Sequence, residues 1–311
     1  MTDRPPVSDW AKDFDHLDPR WVTEPYQIWD ELRRQCPVAH TERYNGVYFP
    51  SRYADIRAIA YDTEHFSSRR VVVREMPPRV PTDSAKPKSP PGASTLASPP
   101  ITSDPPYHRP ARMLLLPAFT PDAIGRLEAK TRAICGDLID RFASNDRCDA
   151  ATDYAQHVPV AVIAHMLGLP EGDGEKFRRW IHLLLHEGIA ENASFAQALA
   201  EMDDYFRVQI VSRRSVPGED LITFLLGAQM EDQPLSDEHI IGTLRLLLIA
   251  GIDTTWSAIG SCLWHLAQHR DDRRRLVTEP ALMPLAVEEF LRAYAPVTMA
   301  RQVAKETTVG G

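Results

Sequence analysis

Only four of the 311 residues are cysteine, Cys36, Cys135, Cys148 and Cys262, and none forms a CxxC pair with another. Zinc and redox-dithiol chemistry therefore have no support, and the four read as reduced thiols in or near a core. The opening MTDRPPVSDW has no apolar run that could act as a signal peptide or anchor. The longest apolar stretches elsewhere are too short to span a bilayer, so a cytoplasmic protein without a membrane partner is expected. An excess of positive charge is missing too. The formal net charge is -8, which disfavours nucleic acid as the main partner, since phosphate binding needs clustered Lys and Arg. Self-similarity at solenoid periods is also absent.

What is present is an ordinary globular composition, 43% hydrophobic and 25% charged, with no shift that would divide residues 1–311, a length that allows one large domain or two ordinary ones. EPYQIWDELRRQCPV has the spacing of an amphipathic helix that Pro37 terminates. NGVYFPS follows as a small strand unit after an Asn-Gly turn signal, and RYADIRAIAYD returns to helical spacing. Between Pro77 and Pro110 the chain holds eleven of its 26 prolines, which leaves few amides for a ladder or a helix. Residues 77–103 are read as a proline-rich loop, expected as a substrate lid, with a domain linker as the bland alternative.

Beyond that loop the pattern is helical almost throughout, and the fold class is mainly α with a small β portion. VPVAVIAHMLGLP ends at a glycine and a proline, as helices do. PLSDEHIIGTLRLLLIAGIDTTWSAIGSCLWHLAQH starts at a Ser or Asp cap and continues for more than thirty residues without proline. A helix that long crosses the whole domain. The last residues, PVTMARQVAKETTVGG, read as a hairpin with one arm missing.

Within the long helix Ala250, Asp253, Thr254 and Ser257 fall at i, i+3, i+4 and i+7 on one face, with Gly251 beside them. An internal glycine costs about 1 kcal/mol against alanine, and a buried carboxylate shifts its pKa upward. These residues weaken the helix unless something uses them. Thr254 can donate to the carbonyl of Ala250 and locally open the helix, leaving a polar notch in an apolar wall. The bland reading is a helix-packing glycine beside a solvent-facing acid. EEFLR sets Glu289 and Arg292 at i and i+3, within ion-pair reach. DPPYHRPARMLLLPAFTP sets His108 and Arg112 at i and i+4, two donors able to hold carboxylates or phosphates.

In this order the segments resemble the cytochrome P450 family, the haem-thiolate monooxygenases, over essentially the whole chain. AGIDTT is similar to the family's acid-alcohol motif, EEFLR to its ExxR motif, and DPPYHRPARMLLLPAFTP to the segment that holds the haem propionates. The resemblance implies a haem cofactor, iron protoporphyrin IX, with His108, Arg112 and Arg301 on its propionates and Ala250 and Gly251 beside it. It implies that Asp253 and Thr254 relay protons to the oxygen being activated and that Glu289 and Arg292 form a structural ion pair. Ile249 and Val297 are expected to line the substrate pocket. The implied reaction is hydroxylation of a small apolar or moderately polar molecule with O2 and electrons from NAD(P)H. Ferredoxin and ferredoxin reductase would deliver the electrons, docking near Arg109 and Arg112 on a monomeric protein.

The chain departs from the family pattern at one end. The ligand cysteine is expected beyond Gly311, in a glycine-rich loop that none of the four cysteines occupies. Glu289 and Arg292 lack the downstream arginine of the family's ion network, and the terminal TTVGG lacks a partner strand. A truncated chain, inactive alone, is the expectation. The alternative is a non-catalytic helical binding or scaffold protein derived from the same fold. His182 with His186, and His265 with His269, have metal-like i, i+4 spacing but no identifiable third ligand. DDYFR and DDRRR lack the later acid of a terpene-cyclase metal motif.

Overall fold

Apolar spacing sets the helices, and polar caps and prolines set their ends. The computed structural model describes residues 5–73, 98–188 and 191–310. Near the N-terminus α1 (Trp10–Asp13), α2 (Pro19–Thr23) and α3 (Pro25–Gln35) follow one another, with Asp9 and Asp18 capping the first two. β1 (Val38–Thr41) and β2 (Val47–Pro50) form an antiparallel hairpin. Its turn carries Tyr44, Asn45 and Gly46 at φ 58°, 65° and 86°, a left-handed run that the Asn-Gly pair accommodates. Phe14, Ile28, Leu32 and Ala39 are buried there, with Trp21, Trp29 and Phe49 packed on them. α4 (Tyr53–Tyr61) leads into the short β3 (Phe66–Ser67).

The second and larger core is helical. α5 (His108–Leu115), α6 (Pro121–Gly125), α7 (Glu128–Phe142), α8 (His157–Leu167) and α9 (Gly174–His182) come first. A π-helical turn, Leu183–Glu187, continues α9, and α10 (Asn192–Ser215) and α11 (Leu221–Gly227) follow. The β4–β5 hairpin (Gln229–Met230, Gln233–Pro234) then precedes α12 (Asp237–Gln268). Leu167, Phe177, Trp180, Met202, Phe206, Leu225, Leu244 and Leu248, from α8 through α12, are fully buried together. Each such side chain contributes about 1.5–3 kcal/mol by leaving water.

Most expected boundaries are present. α8 stops at Gly168, whose φ of 66° only glycine adopts without strain, and Pro170 follows. α12 begins at Ser236, whose hydroxyl accepts from the His239 amide at 3.2 Å, and runs 32 residues. By length and apolar composition α12 could cross a membrane, which corrects the expectation that every apolar stretch is too short. Its first half is core instead, with residues from His239 to Leu248 mostly buried. Cys148 is exposed, a departure from the expected near-core thiols, and the other three are half-buried.

The chain closes with α13 (Arg270–Thr278), α14 (Met283–Ala293) and β6 (Gln302–Val303). The missing hairpin arm is supplied from far upstream. β6 pairs antiparallel with β3, Phe66 opposite Val303 and Ser67 opposite Gln302. Backbone bonds from Ala300 to Val71 and from Ala304 to His65, and a 2.7 Å ion pair between Lys305 and Glu64, extend the contact. Local alternation reveals a strand but not a partner more than two hundred residues away. Of the expected lid loop, residues 77–97 lie outside the described residues.

Candidate active site

α12 carries the acid and the hydroxyl. Thr254 Oγ1 donates to the Ala250 carbonyl at 3.0 Å, the back-bond expected from its spacing. The helix is not opened by it, since α12 stays helical from Asp237 to Gln268. Asp253 and Thr254 are half-buried and Ala250 is exposed. Burial pushes the Asp253 carboxyl above the usual range, opposed by the charge of nearby His186 and then by a hydrogen bond with Trp256. This acid is therefore held toward its protonated form, the state from which it can give a proton.

Gly251 has a neighbour that its expected place beside the cofactor does not announce. The expectation places it beside the cofactor, making room. A Cβ built there would instead stand 3.1 Å from Cγ1 and Cδ1 of Ile163, a buried residue of α8. The missing side chain lets α8 approach α12 closely at Ile163, as the helix-packing reading expects. The solvent-facing half of that reading fails, because Asp253 is half-buried.

His108 and Arg112 lie four residues apart on α5, whose Ala111 and Leu115 are buried. Among the described residues neither side chain takes a hydrogen-bond or ion-pair partner. Arg301 Nη1 donates to the adjacent Ala300 carbonyl at 2.9 Å and meets no carboxylate among the described residues. The three donors are thus free of internal acids and suited to an anionic group. Arg109, in the same turn, is exposed.

Glu289 and Arg292 form the expected pair on α14, bidentate at 2.6 and 2.7 Å and exposed. The Arg292 hydrogen bond holds the Glu289 carboxyl below its ordinary range. Tyr26 ties this helix to α3 by donating to the Ala293 carbonyl at 3.0 Å. Ile249 packs against the main core and Val297 is exposed in the segment before β6. His265 is taken up by Tyr294 at 2.7 Å and by Asp272 at 2.9 Å, with His269 stacked on it. His182 stacks on His186 and pairs with Glu187 at 3.2 Å.

Two residues beside Asp253 escaped the sequence reading. Trp256 stands at i+3 from the acid, a spacing that could have revealed it. His186 reaches the site through the π-helical turn, which widens the helix locally and has no sequence signal of its own. Together the residues offer a desolvated acid next to a hydroxyl on an apolar helix, and uncompensated donors on α5 and before β6. By the chemistry of its donors, that set suits a largely apolar cofactor that carries carboxylates.

Comparison with known proteins points the same way. A family model described as cytochrome P450 matches residues 191–311. The chain is 30% identical over 296 residues to the putative cytochrome P450 YjiB of Bacillus subtilis, covering 92% of this chain and 70% of that protein. It is 30% identical to a vitamin D(3) 25-hydroxylase of Pseudonocardia autotrophica, covering 92% and 69%. Among solved structures it is similar to CYP109E1 from Bacillus megaterium in complex with testosterone, at a TM-score of 0.78 and 29% identity over 92% of this chain and 71% of that one. The chain spans 52% to 70% of the length of YjiB and two further curated P450 relatives.

Proposed function

Because the chain belongs to the cytochrome P450 family, whose cofactor is haem held by a cysteine thiolate, we propose that it carries the activity of a haem monooxygenase. The substrate is a small apolar or moderately polar organic molecule that receives one atom of O2, the other leaving as water. Ligands named with relatives, a vitamin D and a steroid, support an apolar substrate class. Electrons come from NAD(P)H through ferredoxin reductase and ferredoxin. The protein works in the cytoplasm as a monomer and as a single domain, with residues 77–103 as its substrate lid.

Haem, when bound, supplies the oxygen-activating chemistry, with electron push from its thiolate. His108, Arg112 and Arg301 are assigned to the propionates, where charge-assisted hydrogen bonds orient the group. Ala250 leaves the helix surface low beside it, while Ile249 and Val297 border the substrate. Burial disfavours the Asp253 anion and raises its carboxyl above the ordinary range, so it holds its proton to higher pH than an exposed carboxyl does. Thr254 Oγ1 spends its own proton on the Ala250 carbonyl, so its lone pairs stay open to accept one from a neighbouring acid. Protons thereby enter a water-poor site through two side chains and not through bulk solvent. The exposed Arg109 and Arg112 form the docking face for the electron donor.

The desolvated Asp253 next to the back-bonded Thr254 is the observation that carries this reading. Its test is the reduced carbon monoxide spectrum of the natural gene product. The long-wavelength Soret band of a thiolate-ligated haem is expected, and a product that takes up no haem contradicts the assignment.

A further inference from the structure

The three elements that carry the proposed cofactor donors and proton relay are joined by a buried polar frame. Tyr107, the last residue before α5, shares a hydrogen bond of 2.5 Å between its hydroxyl and Nδ1 of His239 in the first turn of α12. The rings meet edge to face at 5.8 Å, and His239 is only 7% exposed. One turn further along the same face of α12, the buried Thr243 donates to the Pro99 carbonyl at 3.4 Å. His239 and Thr243 thus hold the two ends of the stretch that leads into α5.

The middle of that stretch is held from the opposite side. Asp104 accepts from Ser67 Oγ at 2.6 Å and from the Ser68 amide at 2.7 Å. Ser67 is the β3 residue opposite Gln302 of β6, and Gln302 follows Arg301. A continuous set of contacts therefore runs from the Arg301 strand, through Asp104 and Tyr107, to α12. At the Tyr107 and His239 positions a phenylalanine and a leucine would leave no polar group to satisfy, so the polar pair marks a specific bond. Burial holds the His239 ring neutral, its pKa pushed down to about 4, so the bond is between uncharged partners throughout the neutral range.

We propose that Tyr107 and His239 are positioning residues whose hydrogen bond fixes the start of α5 on α12, and so sets where His108 and Arg112 stand relative to Asp253 and Thr254. The inference rests on the haem reading above. His108 is the next residue after Tyr107 and Arg112 lies one turn beyond. Releasing Tyr107 frees the helix end that carries His108 and so the tilt that places Arg112 in the last turn, while Leu115 at the far end stays in the main core.

The test uses the haem-loaded natural gene product and four variants: Tyr107→Phe, His239→Leu, the double variant, and His239→Asn. Asparagine keeps an acceptor oxygen near the place of Nδ1. Two readouts are taken, the rate of haem transfer to excess apomyoglobin and the thermal midpoint by circular dichroism. Phe and Leu are each expected to speed haem transfer by about 10-fold, with the double variant no faster than either single one, as for two partners of one bond. His239→Asn is expected to restore slow transfer. Transfer rates within about twofold of the parent in both single variants overturn the proposal, as do multiplying effects in the double variant. Faster transfer that only tracks a lowered thermal midpoint, without rescue by asparagine, overturns it as well. A parent protein that takes up no haem contradicts the underlying reading and is seen before any variant is made.

Discussion

At the scale of the single residue, a core helix tolerates Asp253 only at a cost. Burial raises its folded-state pKa above the unfolded value, so the stability it supplies is complete below the ordinary carboxylate range and is lost as pH rises through the folded value. Asp253→Asn removes the titration. The variant is expected to melt at a higher temperature than the parent at neutral and alkaline pH, with the gain shrinking toward zero as the solution is acidified. A parallel set of thermal melts across pH reads this, and a variant less stable at every pH would mean that the carboxylate is a structural partner. Sequence spacing alone revealed the acid, the hydroxyl and their common face. The i+3 spacing could also have pointed to Trp256, whereas His186 reaches the acid through a π-helical turn that has no sequence signal.

At the scale of the element, α12 was legible from end to end: its Ser236 cap, its uninterrupted length and its apolar spacing all appear in the chain. The role of Gly251 was not, because a glycine announces missing volume without saying which neighbour takes it. Here Ile163 takes it. Gly251→Ala adds about 1 kcal/mol of helix propensity but pushes a Cβ to 3.1 Å from a buried side chain in a close-packed core, and crowding of that kind costs about 1–3 kcal/mol. A net loss of stability is expected from alanine alone. Gly251→Ala combined with Ile163→Val is expected to recover part of it, a coupling that denaturant midpoints measure. Strands fared worse for a related reason. The β1–β2 hairpin is local and its Asn-Gly turn is written in the sequence, whereas β3 and β6 find each other only when the whole chain has folded.

At the scale of the whole molecule, the fold is similar to that of a solved P450 structure over 92% of the chain, at a TM-score of 0.78. Net charge of -8 coexists with a locally basic α5, in which Arg109 is exposed and unpaired among the described residues. Charge of one sign on a docking face acts mainly on the rate of encounter and is screened by salt. Arg109→Glu is therefore expected to slow reduction by ferredoxin by about 10-fold at low ionic strength, with the difference from the parent narrowing as salt is added. Stopped-flow reduction under carbon monoxide measures it. An unchanged rate would move the docking face elsewhere. Fold class, helix order and the two motif-bearing helices were available from local pattern. The frame that binds them, from Arg301 through Asp104 and Tyr107 to His239, consists of contacts between residues far apart in the chain and leaves no periodic trace.

The central claim is that Asp253 and Thr254 deliver protons to activated oxygen. Thr254→Val keeps the shape of the side chain and removes the hydroxyl with its bond to Ala250. The most direct measurement is the share of consumed O2 released as hydrogen peroxide by the haem-loaded natural gene product, supplied with NAD(P)H and an electron-donor pair. Removing one member of a proton relay costs on the order of 100-fold in the step it serves, so peroxide is predicted to become the main product of the valine variant. An unchanged peroxide share, with oxygen still consumed, would contradict the account.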